Sequence, residues 1–62
     1  MRRLTSLKKE RQRRRLTQME LAEISGVNRT TITRLERGAT RASPATMSKL
    51  ARALKVKPSA LF

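Results

Sequence analysis

The sequence has 62 residues, sixteen of them Lys or Arg against four acidic ones, for a formal net charge of +12. With no Cys and no His, disulfides, thiol chemistry, zinc fingers and His-based catalysis are all excluded. The length allows one domain, 1–62, with a thin core, because folding at this size hides only about 60% of the chain's potential surface.

The first helix is predicted within Leu4 to Arg15, a stretch without Gly or Pro and rich in good helix formers. Leu4 and Leu7 lie on one face, and Arg11 continues it where an aliphatic residue is the rule, so that arginine needs a partner. Thr17-Gln18-Met19-Glu20 spells a capping box and predicts a second helix from about Gln18 to Ser25. Leu21, Ala22 and Ile24 are its candidate interior residues. Gly26 supplies a positive φ for a sharp turn, and Asn28 is a good N-cap for a third helix whose Ile32 and Leu35 point inward. Gly38 stops that helix.

After a loop over Ala39 to Ala42, Ser43-Pro44 is a paired start signal for a fourth helix. Met47, Leu50, Ala51 and Leu54 give that helix an i, i+3, i+4, i+7 apolar face. Val56 follows, and Pro58 to Phe62 fits one last short turn. Nothing reads as a strand. The fold class is all-α: a compact bundle of four to five short helices.

So much positive charge attracts polyanions, whether nucleic acid, an anionic membrane surface or an acidic protein. Phe62 is the only aromatic residue, too little for modules that stack unpaired bases, which favours duplex DNA. No apolar run approaches the ~18–20 residues that span a bilayer. Met1-Arg2-Arg3-Leu4 has a basic opening without an apolar stretch behind it, so it does not read as a signal peptide. The location expected by default is the cytoplasm, in association with the nucleoid.

Two helices joined by a glycine turn, the second bearing exposed polar groups, form a helix-turn-helix unit over about 17–37. In such units the first helix crosses the DNA backbone and the second enters the major groove. Residues 16 to 38 resemble the phage Cro/repressor-type helix-turn-helix family. The resemblance rests on Gln18, Leu21-Ala22, Gly26-Val27, Ile32 and Glu36-Arg37-Gly38, and continues through Leu50-Ala51-Arg52-Ala53-Leu54. It implies a compact five-helix bundle that binds specific DNA sequences, usually as a dimer that represses or tunes transcription.

The candidate base-contacting residues are Asn28, Arg29, Thr30, Thr33 and Arg34, which share the part of the third helix free of Ile32 and Leu35. Arg29 can reach guanine O6 and N7 bidentately, worth roughly 1–3 kcal/mol of discrimination, and Thr30 can set its methyl against a thymine. Asn28 either caps the helix or reads a base. Arg34 either reads a base or clamps a phosphate. The resemblance assigns a phosphate contact to Gln18, and backbone grip to the loop with Arg37, Thr40 and Arg41. It also pairs Arg11 with Glu36, which answers the charge on the Leu4-Leu7 face. Arg14 and Arg15, in the run Arg13-Arg14-Arg15, are further phosphate candidates against the alternative of a solvated face. Residues 1–3 are a candidate basic arm.

Pro58, Leu61 and Phe62 are candidate dimer contacts, the alternative being that Leu61 and Phe62 cap the core. Arg15 and Lys55 stand where the family commonly has Gly, and a non-glycine residue in the left-handed region costs about 1 kcal/mol. Ala42 replaces a frequent Pro, which implies a rearranged loop into the fourth helix.

The function expected is a sequence-specific transcriptional regulator, a repressor, acting as a homodimer on a palindromic operator. No enzyme activity, metal, cofactor, membrane or small-molecule ligand is expected. The alternative within the same fold is a DNA-binding antitoxin or a protein-interaction subunit. A basic amphipathic peptide acting on membranes is a third reading, opposed by the caps and turn chemistry.

Overall fold

The computed structural model describes all of residues 1–62. Four α-helices follow one another: α1 Leu7–Arg13, α2 Gln18–Ser25, α3 Arg29–Glu36 and α4 Pro44–Leu54, closed by a 3-10 turn over Pro58–Leu61. An isolated antiparallel bridge between Arg2 and Ala42 is the only β-type pairing.

The starts of α2, α3 and α4 have local causes. Thr17 and Glu20 form the reciprocal capping box, with Glu20 N–H to Thr17 Oγ1 at 3.0 Å and Thr17 N–H to Glu20 Oε1 at 2.8 Å. The Asn28 side chain accepts from Thr30 N–H at 2.7 Å, and Ser43 accepts from Thr46 N–H ahead of Pro44. α1 begins at Leu7 rather than Leu4. The preceding segment is drawn away by other partners, since Ser6 N–H bonds the Leu61 carbonyl at 2.9 Å and Arg2 pairs with Ala42.

Three helices end in the same two-bond closure around a left-handed residue. After α1, Arg15 N–H reaches the Gln12 carbonyl and Leu16 N–H the Arg11 carbonyl. After α3 the pair is Gly38 to Leu35 and Ala39 to Arg34; after α4 it is Lys55 to Arg52 and Val56 to Ala51. Arg15 (φ 54°) and Lys55 (φ 57°) thus occupy a region that costs an L side chain free energy, while Gly26 and Gly38 (φ 74° each) enter it freely.

The core collects one to three residues from every element and one from each of three segments outside the elements: Leu4, Leu7, Leu21, Val27, Ile32, Leu35, Ala42, Leu50, Ala51, Leu54 and Leu61. Each fully buried leucine or isoleucine contributes roughly 1.5–3 kcal/mol, so eleven small contributors carry the fold. Two expectations are corrected here. Ile24 is 57% exposed; it faces an open groove with Lys49, Arg52 and Ala53 of α4, because α2 meets its neighbours along the Leu21 side. Leu61 is fully buried within the chain, so the C-terminal surface open to a second copy is reduced to Pro58 and the partly buried Phe62.

Candidate nucleic-acid interface

α2 and α3 are joined at Gly26, and their mutual orientation is held by a continuous polar chain. Arg11 sends Nε to Glu36 Oε2 at 2.6 Å and Nη2 to Glu36 Oε1 at 2.9 Å, a bidentate pair across 25 positions of sequence. Its Nη1 donates to the Leu16 carbonyl at 2.7 Å, so one guanidinium ties α1, the start of the second segment and the end of α3 together. Glu36 Oε1 also accepts from Gln18 Nε2 at 3.0 Å, and Gln18 Oε1 accepts the Thr33 hydroxyl at 2.9 Å. No buried side-chain polar atom is left without a partner.

The electrostatics follow from this geometry. Burial pushes the Glu36 carboxyl upward, but the hydrogen bonds from Arg11 and Gln18, with the charge of Arg11, outweigh it and hold the group below its ordinary range. The bond to Glu36 in turn raises Arg11. A charged pair this well hydrogen-bonded locks an orientation, whatever its net contribution to stability.

α3 is anchored by Ile32 and Leu35, both buried, and leaves Asn28, Arg29, Thr30 and Arg34 exposed with Thr33 half-buried. Asn28 is engaged as the N-cap. Thr33 gives its hydroxyl hydrogen to Gln18, which leaves its methyl and oxygen lone pairs as contact groups. Gln18 is half-buried, with one amide hydrogen spent on Glu36 and the other uncommitted. Beyond α3, Arg37 and Arg41 are exposed and Thr40 half-buried.

The arginine run divides. Arg14 folds back on α1, where its Nη1 lies 3.1 Å from both the carbonyl and the Oε1 of Glu10. Arg13 meets the other oxygen at 3.4 Å, and Arg15 stands exposed at the left-handed position. Glu10, which is 8% exposed, is the acidic anchor that sequence reasoning missed. Its i, i+3 and i, i+4 spacing to Arg13 and Arg14 was the available signal. The structure also ties down Arg2 of the N-terminal segment: it exchanges two backbone hydrogen bonds with Ala42, and its guanidinium lies 3.9 Å from the Phe62 ring centroid. Nowhere do three potential metal-ligating side chains converge, and no helix is long and apolar enough to cross a membrane.

A family model described as helix-turn-helix matches residues 7–61. Among solved structures, the restriction-modification controller protein C.AhdI from Aeromonas hydrophila is similar: 36% identity, a TM-score of 0.87, and coverage of 94% of this chain and 88% of that one. A comparison with curated proteins returns no match.

Proposed function

This chain belongs to the helix-turn-helix family of Cro/C1-type DNA-binding transcriptional regulators, and from that premise we propose that it reads a specific duplex sequence with α3 in the major groove. The observation that carries this reading is the chain from Arg11 through Glu36 and Gln18 to Thr33. It fixes α3 against α2 while Arg29, Thr30 and Arg34 stay exposed on one side. A helix held this firmly presents those side chains from a fixed backbone, which lowers the ordering cost of base readout. Arg29, Thr30 and Thr33 are the base readers, with Asn28 and Arg34 at the two ends of the set. Gln18, Arg15, Arg37, Thr40 and Arg41 meet phosphates, and Arg14 joins them to the extent that Glu10 releases it.

In this reading 1–62 is one domain with the helix-turn-helix unit over 17–37. It acts as a non-catalytic repressor in the cytoplasm, on the nucleoid. A homodimer pairing through Pro58 and Phe62 matches a palindromic operator, since two-fold symmetric proteins bind two-fold symmetric sites. A second reading is favoured by the similarity to a controller protein across nearly the whole chain: control of the genes of a restriction-modification system.

The test is selection from random duplexes, repeated over a salt series. A palindromic or half-site motif supports specific reading. If no motif emerges and all sequences lose affinity alike as salt rises, only phosphate binding is left.

A further inference from the structure

The loop between α3 and α4 is pinned at both ends by helix signals. Ala39 N–H bonds the Arg34 carbonyl at 2.9 Å and Ser43 caps α4. Between these anchors lie Thr40, Arg41 and Ala42, and only Ala42 is tied to the body. Its N–H donates to the Arg2 carbonyl at 2.7 Å, its carbonyl accepts from Arg2 N–H at 2.9 Å, and its methyl is buried in the core. A proline at this position has no N–H and makes only half of that bridge.

Arg2 is held in its turn. Its guanidinium stacks 3.9 Å from the centroid of Phe62, whose carbonyl accepts the Ser6 hydroxyl at 2.7 Å. The neighbouring Leu61 carbonyl takes the Ser6 N–H at 2.9 Å. The segment 2–6 therefore runs as a strap from the C-terminal turn to the loop that follows α3.

We propose that this strap positions the loop for DNA, with Arg2 and Ala42 as positioning residues for Thr40 and Arg41. The inference rests on the reading in which Thr40 and Arg41 meet the DNA backbone. Arg2 contributes by fixing where Arg41 begins, and its own cation faces Phe62 instead of a phosphate. Loss of the bridge leaves every charge in place but lets Arg41 wander, and a wandering cation gives up the ordered contact that a preorganised one makes.

The experiment measures affinity for one mixed-sequence duplex over a salt series, with circular-dichroism melting to check folding. The proteins are the wild type, Arg41→Ala, Ala42→Pro, Arg2→Ala, Ser6→Ala, and the doubles Ala42→Pro/Arg41→Ala and Arg2→Ala/Arg41→Ala. Arg41→Ala is expected to weaken binding roughly tenfold, the effect of one charge-assisted contact, and to flatten the salt slope by about one. Ala42→Pro keeps all charges yet is expected to reproduce both effects. Arg2→Ala and Ser6→Ala weaken the wild type in the same direction, and neither Ala42→Pro nor Arg2→Ala weakens the Arg41→Ala protein further. If Ala42→Pro does not fold, Arg2→Ala and Ser6→Ala carry the comparison. Additive losses from Arg2→Ala and Arg41→Ala overturn the proposal, because they make Arg2 a phosphate contact in its own right. Folded strap variants that bind like the wild type, beside a weakened Arg41→Ala, also overturn it. An Arg41→Ala protein that binds like the wild type removes the phosphate reading itself, and the strap's role with it.

Discussion

The hydroxyl of Thr33 donates to the side-chain oxygen of Gln18 at 2.9 Å, hooking α3 to the first turn of α2 across fifteen positions. That bond spends the only hydroxyl hydrogen Thr33 has, so toward a base its side chain can only accept or offer its methyl. Thr33→Val keeps the shape and methyl but breaks the hook, and is expected to cost about 0.5–1.5 kcal/mol of stability. With the methyl as the contact group, base preference at that position is expected to stay unchanged, whereas a contact through the Thr33 oxygen is lost. Thr33→Ala removes the methyl and is expected to shift that preference. Selection profiles of the two variants, read side by side, check the assignment.

Arg29 and Arg41 are both exposed arginines with different expected roles. Arg29→Ala should relax base preference at one position, losing roughly 1–3 kcal/mol of discrimination there. Arg41→Ala should weaken all sequences alike. Specificity profiles at constant salt separate them, and identical behaviour of the two variants contradicts α3 as the reader.

The Arg11 and Glu36 side chains are 11% and 3% exposed. Removing one partner strands the other, so Arg11→Ala or Glu36→Ala is expected to destabilise by roughly 3–5 kcal/mol, a large share of what so small a domain has. The double variant Arg11→Met/Glu36→Leu should recover much of that loss, since apolar replacements of similar volume are often neutral. Urea denaturation of the wild type and these three variants checks both expectations.

The pH dependence follows from the same pair. Glu36 titrates lower in the folded protein than its ordinary value of 4.5. Its stabilising contribution is therefore complete above that value and is lost as pH falls through the depressed folded one. Arg11, raised from an already high value, stays charged throughout. Acid melting should show this loss, and Glu36→Gln should flatten the acid limb while lowering stability at neutral pH.

Lys55 carries a Cβ at φ 57°. Comparing glycine with alanine there isolates the left-handed penalty from the charge: Lys55→Gly should exceed Lys55→Ala by up to about 1 kcal/mol. In a domain of this size that is a rise of about 4–8 °C in Tm. Thermal melts that rank alanine above glycine would contradict the helix ending described for α4.

What was legible in the sequence was what neighbours along the chain decide. Thr17 with Glu20, Asn28 before its helix, Ser43 before Pro44 and the two glycines each declare a boundary through local hydrogen bonding or φ, and the structure has them all. Arg11 was legible by its oddity on an apolar face, and the resemblance supplied Glu36 as its partner. Ile24 misled because periodicity says which residues share a face, not how wide a stripe the neighbouring helices cover. The Arg2–Ala42 bridge joins positions forty residues apart through backbone atoms, which carry no side-chain signature. Glu10 had a legible spacing but competed with the solvated reading of an arginine run. Of the interface, the exposure of Arg29, Thr30 and Arg34 follows from the periodicity of α3. The spending of Gln18 and Thr33 on each other depends on a tertiary approach that no local pattern encodes.

The Ser6–Phe62 hydrogen bond closes 56 residues of chain. Loop-closure entropy makes such a contact among the costliest to form early, and long-range contacts of this kind are gathered late in folding. α2, its turn and α3 are short-range by comparison and can assemble first. The order of events then reverses on opening: the ends of the chain part before the core does, and native-state hydrogen exchange should find the amides of Ser6 and Ala42 less protected than those of Ile32 and Leu35. The N-terminal segment and the C-terminal turn are thus expected to close last around the DNA-reading helices and to open first.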